Sequence, residues 1–484
     1  MRSLVWFRND LRVSDNTALH NAFDHAGASC VALHVICPGD YVRHDTAPCR
    51  VEFILRTLAV LSADLKKLNI PLLIRVAPTH RDVPQIVAQV VREVKADRVL
   101  ANREYEVNES RRDEAVRAML VRQGTKFATF TDTVAICPTE LRTGAGGPYT
   151  VFTPFKRAWI KRFDERGGAP VLPAPRRQAD TGISGDKVPD RVDGFASAVP
   201  ANLWPAGEHA AIARLRTFSD RSLRSYKARR DFPSADGTSA ISPYLACGAV
   251  SSRPCLALAM EANAGRLDDK GPGGEGAATW VSEIIWREFY KSIVHHFPRV
   301  CMGRAFKPET DAIRWEDNPA HLQAWKDGRT GVPIVDAAMR QLSATGWMHN
   351  RARMIVAMFL SKDLFLNWRH GEKHFMLNLI DGDLASNNGG WQWSASTGTD
   401  AAPYFRIFNP ISQSRNFDPD GAYIRRWVPE LSGIEGAAIH APHDEDEGLP
   451  PIARMKLDYP RPIVDRAKVR DRVMAAFQGL KPRA

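Results

Sequence analysis

The sequence lacks the features that would place it outside a cell or in a membrane. Its 484 residues hold seven cysteines, an odd number without a C-x-x-C pair, so we predict neither a disulfide framework nor a cysteine-rich metal site. No apolar run approaches the roughly 18 residues of a membrane-spanning helix. The opening MRSLVWFRNDLR carries charges where a signal peptide is apolar. We therefore expect a cytoplasmic protein with no membrane partner.

Common catalytic signatures are missing as well. There is no P-loop, no HExxH and no G-x-S-x-G. The stretch GPGGEG at 271–276 has the glycine spacing G-x-G-x-x-G. No predicted strand precedes it, and so it does not predict a dinucleotide site. With 33 glycines and 32 prolines, the chain has too few of these residues to be disordered or fibrous.

Two features are present in excess. Lysine and arginine outnumber aspartate and glutamate by 66 to 55, a net charge of +11 that favours a polyanionic partner such as nucleic acid. Nine of the twelve tryptophans fall between Trp280 and Trp427. A crowd of oxidisable aromatic rings in one half of the chain calls for an explanation beyond an ordinary core.

The chain reads as two domains joined by a linker. Residues 1–135 alternate short apolar runs with helical patterns, which predicts an α/β domain with a doubly wound, Rossmann-like sheet of five parallel strands. Residues 136–206 are predicted to be a linker, because Pro, Gly and Asp dominate and periodicity is lost from residue 164. Residues 207–484 are predicted to be all-helical. The predicted strands are 3–7, 29–36, 71–77, 97–105 and 126–130.

Residues 283–290 place Glu283, Trp286, Arg287 and Tyr290 on one helix face, at spacings of three, four and seven residues. An aromatic plane, a guanidinium and a carboxylate would together suit a heteroaromatic ligand. An amphipathic helix at a domain interface explains the same spacing, and the sequence leaves both readings open.

Asn350, Arg351 and Arg353 are predicted to open a helix just after Gly346. Free backbone N–H groups and cationic side chains at such a helix start favour an anion site. A basic helix face exposed to solvent is the alternative.

The stretch from Asp381 to Trp393 combines two carboxylates and two amides with a Gly-Gly turn and two tryptophans. We interpret it as a loop that could read the polar edge of a flat ligand. An Asx-rich turn before an aromatic helix is an equal alternative.

Three hydroxyls, of Thr238, Ser239 and Ser242, precede Pro243. Ser242 is predicted to be the N-cap of a helix that has Pro243 at its first position. Thr238 and Ser239 are not needed for capping and could reach a phosphate.

Long ordered motifs resemble the DNA photolyase/cryptochrome family, and most closely the bacterial class I cyclobutane pyrimidine dimer photolyases. They are WFRNDLR, GTSAISPYLACG, WREFY, DAAMRQLSATGWMHNRARM and DGDLASNNGGWQWSASTGTDAAPYFRIFNP. The resemblance implies a deoxyribodipyrimidine photo-lyase, a carbon–carbon lyase of DNA repair that binds dimer-containing DNA. It also implies FAD, active as the reduced anion, and a second light-absorbing chromophore. A cryptochrome-like photoreceptor is the alternative.

The resemblance assigns a set of residues to FAD, with Asn387 facing flavin N5. An amide at this position favours repair over signalling, since cryptochromes carry an acid or a thiol at the position of Asn387. The matched FAD residues are Tyr226, Thr238, Ser239, Ala240, Ile241, Ser242, Trp280, Arg353, Asp381, Gly382, Asp383 and Asn387.

For the dimer, the resemblance assigns hydrogen bonds to Glu283 and Asn350. Trp286, Met354 and Trp393 would pack against it. Enzymes of the family that repair the six-four lesion use two histidines one helical turn apart, and the equivalent positions here are Asn350 and Met354. A cyclobutane dimer is therefore the expected substrate.

The tryptophan excess gains a role from the same resemblance. Trp391, Trp368 and Trp315 match an electron-transfer chain that reduces oxidised flavin in light. The matched contacts to the DNA strand are Arg230, Arg287, Arg351 and Gln413.

The expected antenna is 5,10-methenyltetrahydrofolate, held by His44, Asn108 and Glu109. Folate-binding relatives carry a lysine shortly after a cysteine, where this chain has Cys301-Met302, so occupancy is expected to be low. No metal is expected, and the protein is expected to be a monomer.

Overall fold

A computed structural model describes residues 1–480. Two compact units are interleaved along the chain. The first comprises 1–227, 239–298 and 380–385, and the second comprises 228–238, 299–379 and 386–484, of which the last four residues lie outside the described part. The predicted boundaries at 135 and 206 divide the chain into consecutive segments, and they stay a prediction.

A parallel five-stranded sheet forms the centre of the first unit, in the order β3-β2-β1-β4-β5. Leu4 of the central strand pairs with Val31 on one side and with Val99 on the other. The three central strands form where runs of β-branched and aliphatic residues are buried on both faces, as in doubly wound sheets, while the two edge strands are partly exposed. The predicted fold class is confirmed. The strands are β1 (Arg2–Phe7), β2 (Ser29–Ile36), β3 (Leu72–Val76), β4 (Arg98–Asn102) and β5 (Lys126–Phe130).

Helices flank the sheet and continue after it. The predicted linker is not free of structure, because it contains helix Phe152–Glu165, which buries Phe155 and Trp159 on one face. Residues 166–200 have neither helix nor strand. The α-helices with residues in the first unit are Thr17–Asn21, Pro38–Arg43, Pro48–Lys67, Val83–Val94, Val107–Arg122, Phe152–Glu165, Glu208–Arg221, Tyr226–Arg229, Ser242–Cys247, Ser252–Ala262 and Gly274–His296.

The second unit is built from helices around an apolar core that includes several of the tryptophans. A π-helical segment, Phe359–Asp363, interrupts the sequence of α-helices. Within residues 1–480, no helix is long and apolar enough to cross a membrane. The other α-helices are Pro319–Lys326, Pro333–Thr345, Asn350–Met358, Trp368–Asn378, Leu384–Ala395, Pro410–Phe417, Ala422–Trp427, Pro451–Lys456 and Val469–Gln478.

Candidate functional site

In the first unit, Ser242 and Asp381 are 139 residues apart in sequence and hydrogen-bonded in space. The Ser242 hydroxyl donates to Oδ2 of Asp381 at 2.6 Å. The prediction that Ser242 caps its helix is wrong, since Ile241 is the N-cap and no side chain caps the helix. The hydroxyl donates to the distant carboxylate instead. Two of the residues that the resemblance assigns to FAD are therefore in direct contact.

Asp383 lies two residues further on and is bound by a lysine that the sequence analysis missed. Nζ of Lys291 is 2.6 Å from Oδ2 of Asp383 and 2.5 Å from Oε1 of Glu106. Burial lowers the pKa of Lys291, but the two carboxylates outweigh that effect and hold the pKa above its usual value. A basic residue on the same helix as Glu283 and Trp286 was the available signal, but nothing in the sequence showed its partners.

Ser239 and Trp280 also meet in the first unit. The indole Nε1 of Trp280 donates to the Ser239 hydroxyl at 3.3 Å, and Phe218 packs against both Trp280 and Tyr226. Ala240 has a φ of 44°, in the left-handed region that a non-glycine residue adopts at some cost. The motif around Ser239 therefore forms a constrained turn against an aromatic wall.

Helix Gly274–His296 carries the predicted face at residues 283–290. Trp286 stacks on Phe152 with ring centres 3.6 Å apart and an interplanar angle of 7°. The guanidinium of Arg287 donates to the carbonyls of Thr133 and Leu245, at 2.6 and 3.4 Å. The guanidinium of Arg287 is thus held by protein backbone, and the expected contact of Arg287 with DNA stays a prediction.

The stretch from Leu384 to Ala395 in the structure is a helix, so the predicted loop with a Gly-Gly turn is wrong. One tertiary hydrogen bond and one hydrogen bond within the helix support it despite its two glycines. Nδ2 of Asn388 donates to Oε1 of Glu372 at 2.7 Å, and Gln392 donates to Oδ1 of Asn388 at 2.8 Å. Tertiary bonds here override a weak helix propensity.

Asn387 is buried and oriented by the same neighbour. Its Nδ2 donates to the backbone carbonyl of Glu372 at 3.0 Å. A carbonyl only accepts, so the NH₂ group must point at it and the side-chain oxygen Oδ1 points the other way. The amide oxygen is thereby left to accept a hydrogen bond from outside the protein.

The three matched tryptophans all lie in the second unit. Trp391 and Trp368 are fully buried, and Trp315 is half-buried at the edge of the core. A Cβ on Gly371 would lie 2.1 Å from the Trp391 ring, so only glycine lets this helix pack there. Because Gly371 is one turn after Trp368 on the same helix, the close packing brings the region around Trp368 against the Trp391 ring.

Helix Asn350–Met358 begins as predicted, with His349 as its N-cap. Asn350 is exposed, and its Nδ2 lies 4.0 Å from Sδ of Met354. His349 is buried, accepts from the N–H of Arg351, and has its pKa lowered by burial to about 4. It is neutral and turned inward, so it does not supply an acid at the exposed helix start.

The basic side chains near this helix are partly paired. Nη2 of Arg351 lies 2.8 Å from Asp231, and its guanidinium covers the ring of Phe417 at 4.1 Å. Nε of Arg353 donates to the Met348 carbonyl at 2.8 Å. The remaining matched residues of this unit, Arg230, Trp393 and Gln413, are half-buried.

The residues expected at the antenna lie near one another in the first unit. Nδ2 of Asn108 is 3.1 Å from Nε2 of His44. Burial, with Glu106 and Glu104 nearby, raises the pKa of Glu109 to about 7. A group that the sequence analysis did not predict is Cys37, Asp40 and His80, whose ligand atoms lie within 4.8 Å of one another.

Comparisons with known proteins identify the family of the chain. The family of DNA photolyases matches residues 3–176, and the FAD binding domain of DNA photolyase matches residues 280–479. A relative from Salmonella typhimurium, named deoxyribodipyrimidine photo-lyase, is 45% identical over 478 residues, which cover 99% of this chain and 98% of that protein.

Two solved structures are similar over nearly the whole chain. A cryptochrome from Synechocystis sp. PCC6803 matches with a TM-score of 0.86 and 27% identity, covering 98% of this chain and 99% of its own. An archaeal photolyase from Sulfolobus tokodaii, solved with two FAD molecules, matches with a TM-score of 0.79 and 28% identity, covering 99% of this chain and 100% of its own. The fold is shared by both, while identity is far higher to the lyase from Salmonella. From its matched domains and its likeness to that enzyme over almost the full length, the chain belongs to the DNA photolyase family.

Proposed function

We propose that this photolyase uses light to split cyclobutane pyrimidine dimers in DNA, with its FAD in the fully reduced anionic form. The observation that carries the proposal is the buried amide of Asn387, oriented by the Glu372 carbonyl so that its oxygen is left to accept. A neutral acceptor at flavin N5 suits a reduced flavin that keeps its N5 hydrogen. It adds no charge that would make the anion harder to form.

The matched residues fit FAD by their chemistry. The hydroxyls of Thr238, Ser239 and Ser242 can donate to a pyrophosphate, which carries only acceptors. The carboxylates of Asp381 and Asp383 can accept from ring N–H and ribose hydroxyl groups. The resemblance completes the set with the backbone of Ala240, Ile241 and Gly382 and with Tyr226, Trp280 and Arg353.

When bound, the excited reduced flavin supplies one electron to the dimer and recovers it after the ring opens. The task of the protein is to hold the dimer and exclude water. Glu283 and Asn350 would hydrogen-bond the pyrimidine edges. Trp286, whose other face lies on Phe152, would present a rigid plane to the bases. Met354 and Trp393 would complete the apolar lining.

The cyclobutane dimer is favoured over the six-four lesion by the start of helix Asn350–Met358. An exposed amide and a thioether stand where proton transfer would need imidazoles. The nearest histidine, His349, is buried and neutral, since its pKa is lowered to about 4. No proton donor of the required kind is offered there.

Trp391, Trp368 and Trp315 would carry electrons inward to an oxidised flavin. Their progression from full to half burial, and the Gly371 contact that packs the helix of Trp368 on Trp391, support a path that ends near solvent. Such a path restores the reduced state and takes no part in splitting the dimer.

Arg230, Arg351 and Gln413 are the proposed contacts to the DNA strand. Arg351 is held by Asp231 and by the ring of Phe417, which fixes its direction before DNA arrives. We leave Arg287 out of this set, because its guanidinium is used by the backbone carbonyls.

For the antenna we propose 5,10-methenyltetrahydrofolate, held by His44, Asn108 and Glu109. The support is the Asn108–His44 contact and a carboxyl, Glu109, that can pair with an aminopyrimidine edge. The Sulfolobus tokodaii structure with two FAD molecules offers a flavin as the rival pigment. Extraction of the pigment and its absorption spectrum distinguish the two.

The experiment that tests the proposed function is repair of an oligonucleotide that carries one thymine dimer. Chemically reduced protein should restore the thymines under blue light and leave them unrepaired in the dark. A Glu283→Ala variant should repair more slowly than the wild type with its FAD retained. A flavin-loaded, reduced wild type that restores no thymines in light would favour the cryptochrome-like alternative.

A further inference from the structure

A buried lysine links two acidic segments of the first unit. Lys291 lies on helix Gly274–His296 and is 7% exposed. Its Nζ forms ion pairs with Glu106 at 2.5 Å and with Asp383 at 2.6 Å. Both carboxylates lie within hydrogen-bond reach of Nζ, so one ammonium serves two carboxylates.

The two carboxylates belong to segments with different proposed duties. Glu106 precedes Asn108 and Glu109, the residues proposed for the antenna. Asp383 follows Asp381, whose carboxylate takes the Ser242 hydroxyl at the proposed FAD site. The motifs shared with the family do not single out Lys291, so its position between the segments is learned from the structure alone.

We propose that Lys291 is a positioning residue for both chromophores, and that its ammonium fixes the segment of Asp383 against FAD and the segment of Glu106 against the antenna. The inference rests on the proposed function for the identity of the two chromophores. Lys291 touches neither chromophore in this scheme and acts through the two carboxylates.

Removal of the ammonium would leave two carboxylates, whose side chains are only 13% and 15% exposed, without their cation. Like charges close together in a poorly solvated place do not both stay ionised, so the pair takes up a proton as the pH falls toward neutrality. Other charges nearby do not replace the ammonium. Arg287 faces Lys291 from the same helix but is bound to carbonyls, and Glu109 adds a further acid beside Glu106.

A Lys291→Met variant removes the ammonium and keeps most of the side-chain volume. We expect the dissociation constant for FAD to rise about tenfold or more, because breaking a buried pair by removing one partner is costly. We also expect the flavin absorption spectrum of the variant to acquire a titration step between about pH 5 and 8. The wild type should show no such step in its flavin bands, because the Lys291 ammonium lies between the two carboxylates.

Lys291→Arg keeps the charge and should restore FAD binding to within about threefold of the wild type, without the titration step. The matched control is Lys156→Met. Lys156 is half-buried in the first unit, and it hydrogen-bonds the Ser282 hydroxyl rather than a carboxylate pair. Its loss should leave FAD affinity and the flavin spectrum unchanged.

The outcomes separate this inference from the proposed function. A wild type that binds FAD and repairs dimers supports the proposed function whatever the variants do. The positioning role is refuted if Lys291→Met binds FAD as the wild type does and shows no titration step. It is also refuted if Lys291→Arg loses as much affinity for FAD as Lys291→Met does. Should Lys291→Met fail to fold, Lys291→Gln at low temperature gives the same pH titration.

Discussion

The acidic region of the first unit and the tryptophan region of the second unit treat their buried polar atoms in opposite ways. Around Asp381 and Asp383, hydrogen bonds and ion pairs come from Ser242 and Lys291. Around Trp391, the core is apolar, and the indole Nε1 finds no acceptor within the described residues. The first region fixes charges in place, while the second buries oxidisable rings in an apolar core, with the Arg369 guanidinium over the Trp368 ring at 4.6 Å.

The difference shows how one chain can separate two duties. Binding a polar cofactor requires directed hydrogen bonds. The free-energy cost of burying polar groups is offset when those groups have hydrogen-bond partners. Passing electrons between rings requires short distances and rigid packing instead. Substitutions in each region should therefore fail in different assays.

The largest effect is expected at the outer end of the tryptophan path. Trp315→Phe should nearly abolish light-driven reduction of oxidised flavin, because phenylalanine is much harder to oxidise than indole. Repair by chemically reduced enzyme should stay close to wild type. Transient absorption measures the photoreduction of the flavin, and the repair assay on the same preparation measures the splitting of the dimer.

Trp427→Phe is the control for that prediction, since Trp427 packs on the same apolar core but lies outside the proposed path. It should leave photoreduction unchanged. An equal loss of repair and photoreduction in Trp315→Phe would instead mean that the tryptophan region serves structure rather than electron transfer.

The next effect concerns the packing that brings the helix of Trp368 against Trp391. Gly371→Ala puts a methyl group 2.1 Å from the Trp391 ring and should reduce the free energy of unfolding by about 1–3 kcal/mol. Gly390→Ala is the matched control, because nothing lies within 4 Å of its Cβ position in a helix. It should be neutral or stabilising by up to about 1 kcal/mol. Urea denaturation of the two variants tests this, and equal effects would contradict the close contact.

A smaller effect, in the acidic region, depends on pH. The pKa of Glu109 is raised to about 7, so its ionised fraction rises from about one tenth at pH 6 to about nine tenths at pH 8. If the carboxylate form accepts hydrogen bonds from the pterin, the ratio of antenna to flavin absorbance should rise over that range. Glu109→Gln should remove the dependence.

Stability should follow the opposite trend. A carboxyl whose folded pKa is raised stabilises the fold fully below its unfolded pKa, near 4.5, and that contribution is lost as pH rises through about 7. The melting temperature should therefore fall more between pH 5 and pH 8 in the wild type than in Glu109→Gln. Equal differences would mean that Glu109 is not the titrating group.

The smallest effect is expected for DNA binding. Arg351→Gln should reduce the magnitude of the salt dependence of DNA affinity by about 0.9 in log–log slope, one phosphate contact. Arg287→Gln should leave that slope unchanged, because its guanidinium binds protein carbonyls. A change of slope in Arg287→Gln would return this residue to the DNA surface.

The fold was predictable because its signals are local. The central strands of the sheet are buried apolar runs, and helix Asn350–Met358 begins shortly after Gly346, which ends the preceding helix. Such patterns arise within about ten residues, which a single sequence displays directly.

The site was only partly predictable because its decisive contacts are distant in sequence. The sequence predicts Ser242 as a helix cap, but in the structure its hydroxyl donates to Asp381. The sequence likewise gives no indication that the guanidinium of Arg287 donates to backbone carbonyls. The glycine pair at 389–390 suggested a turn, yet bonds from Glu372 to the flanking amides hold a helix there. Lys291 was visible only as a basic residue on the helix of Glu283 and Trp286, and the sequence showed neither of its two carboxylate partners.

The hydrogen bonds of Asn388 have a consequence for the lifetime of the protein. Asn388 precedes Gly389, and in flexible chains an Asn-Gly pair ages fastest, because the next backbone nitrogen attacks the side-chain carbonyl to form a succinimide. Here the helical backbone and the bonds from Glu372 and Gln392 hold that carbonyl away from the attacking nitrogen. The same bonds that support this helix should therefore also slow deamidation of Asn388.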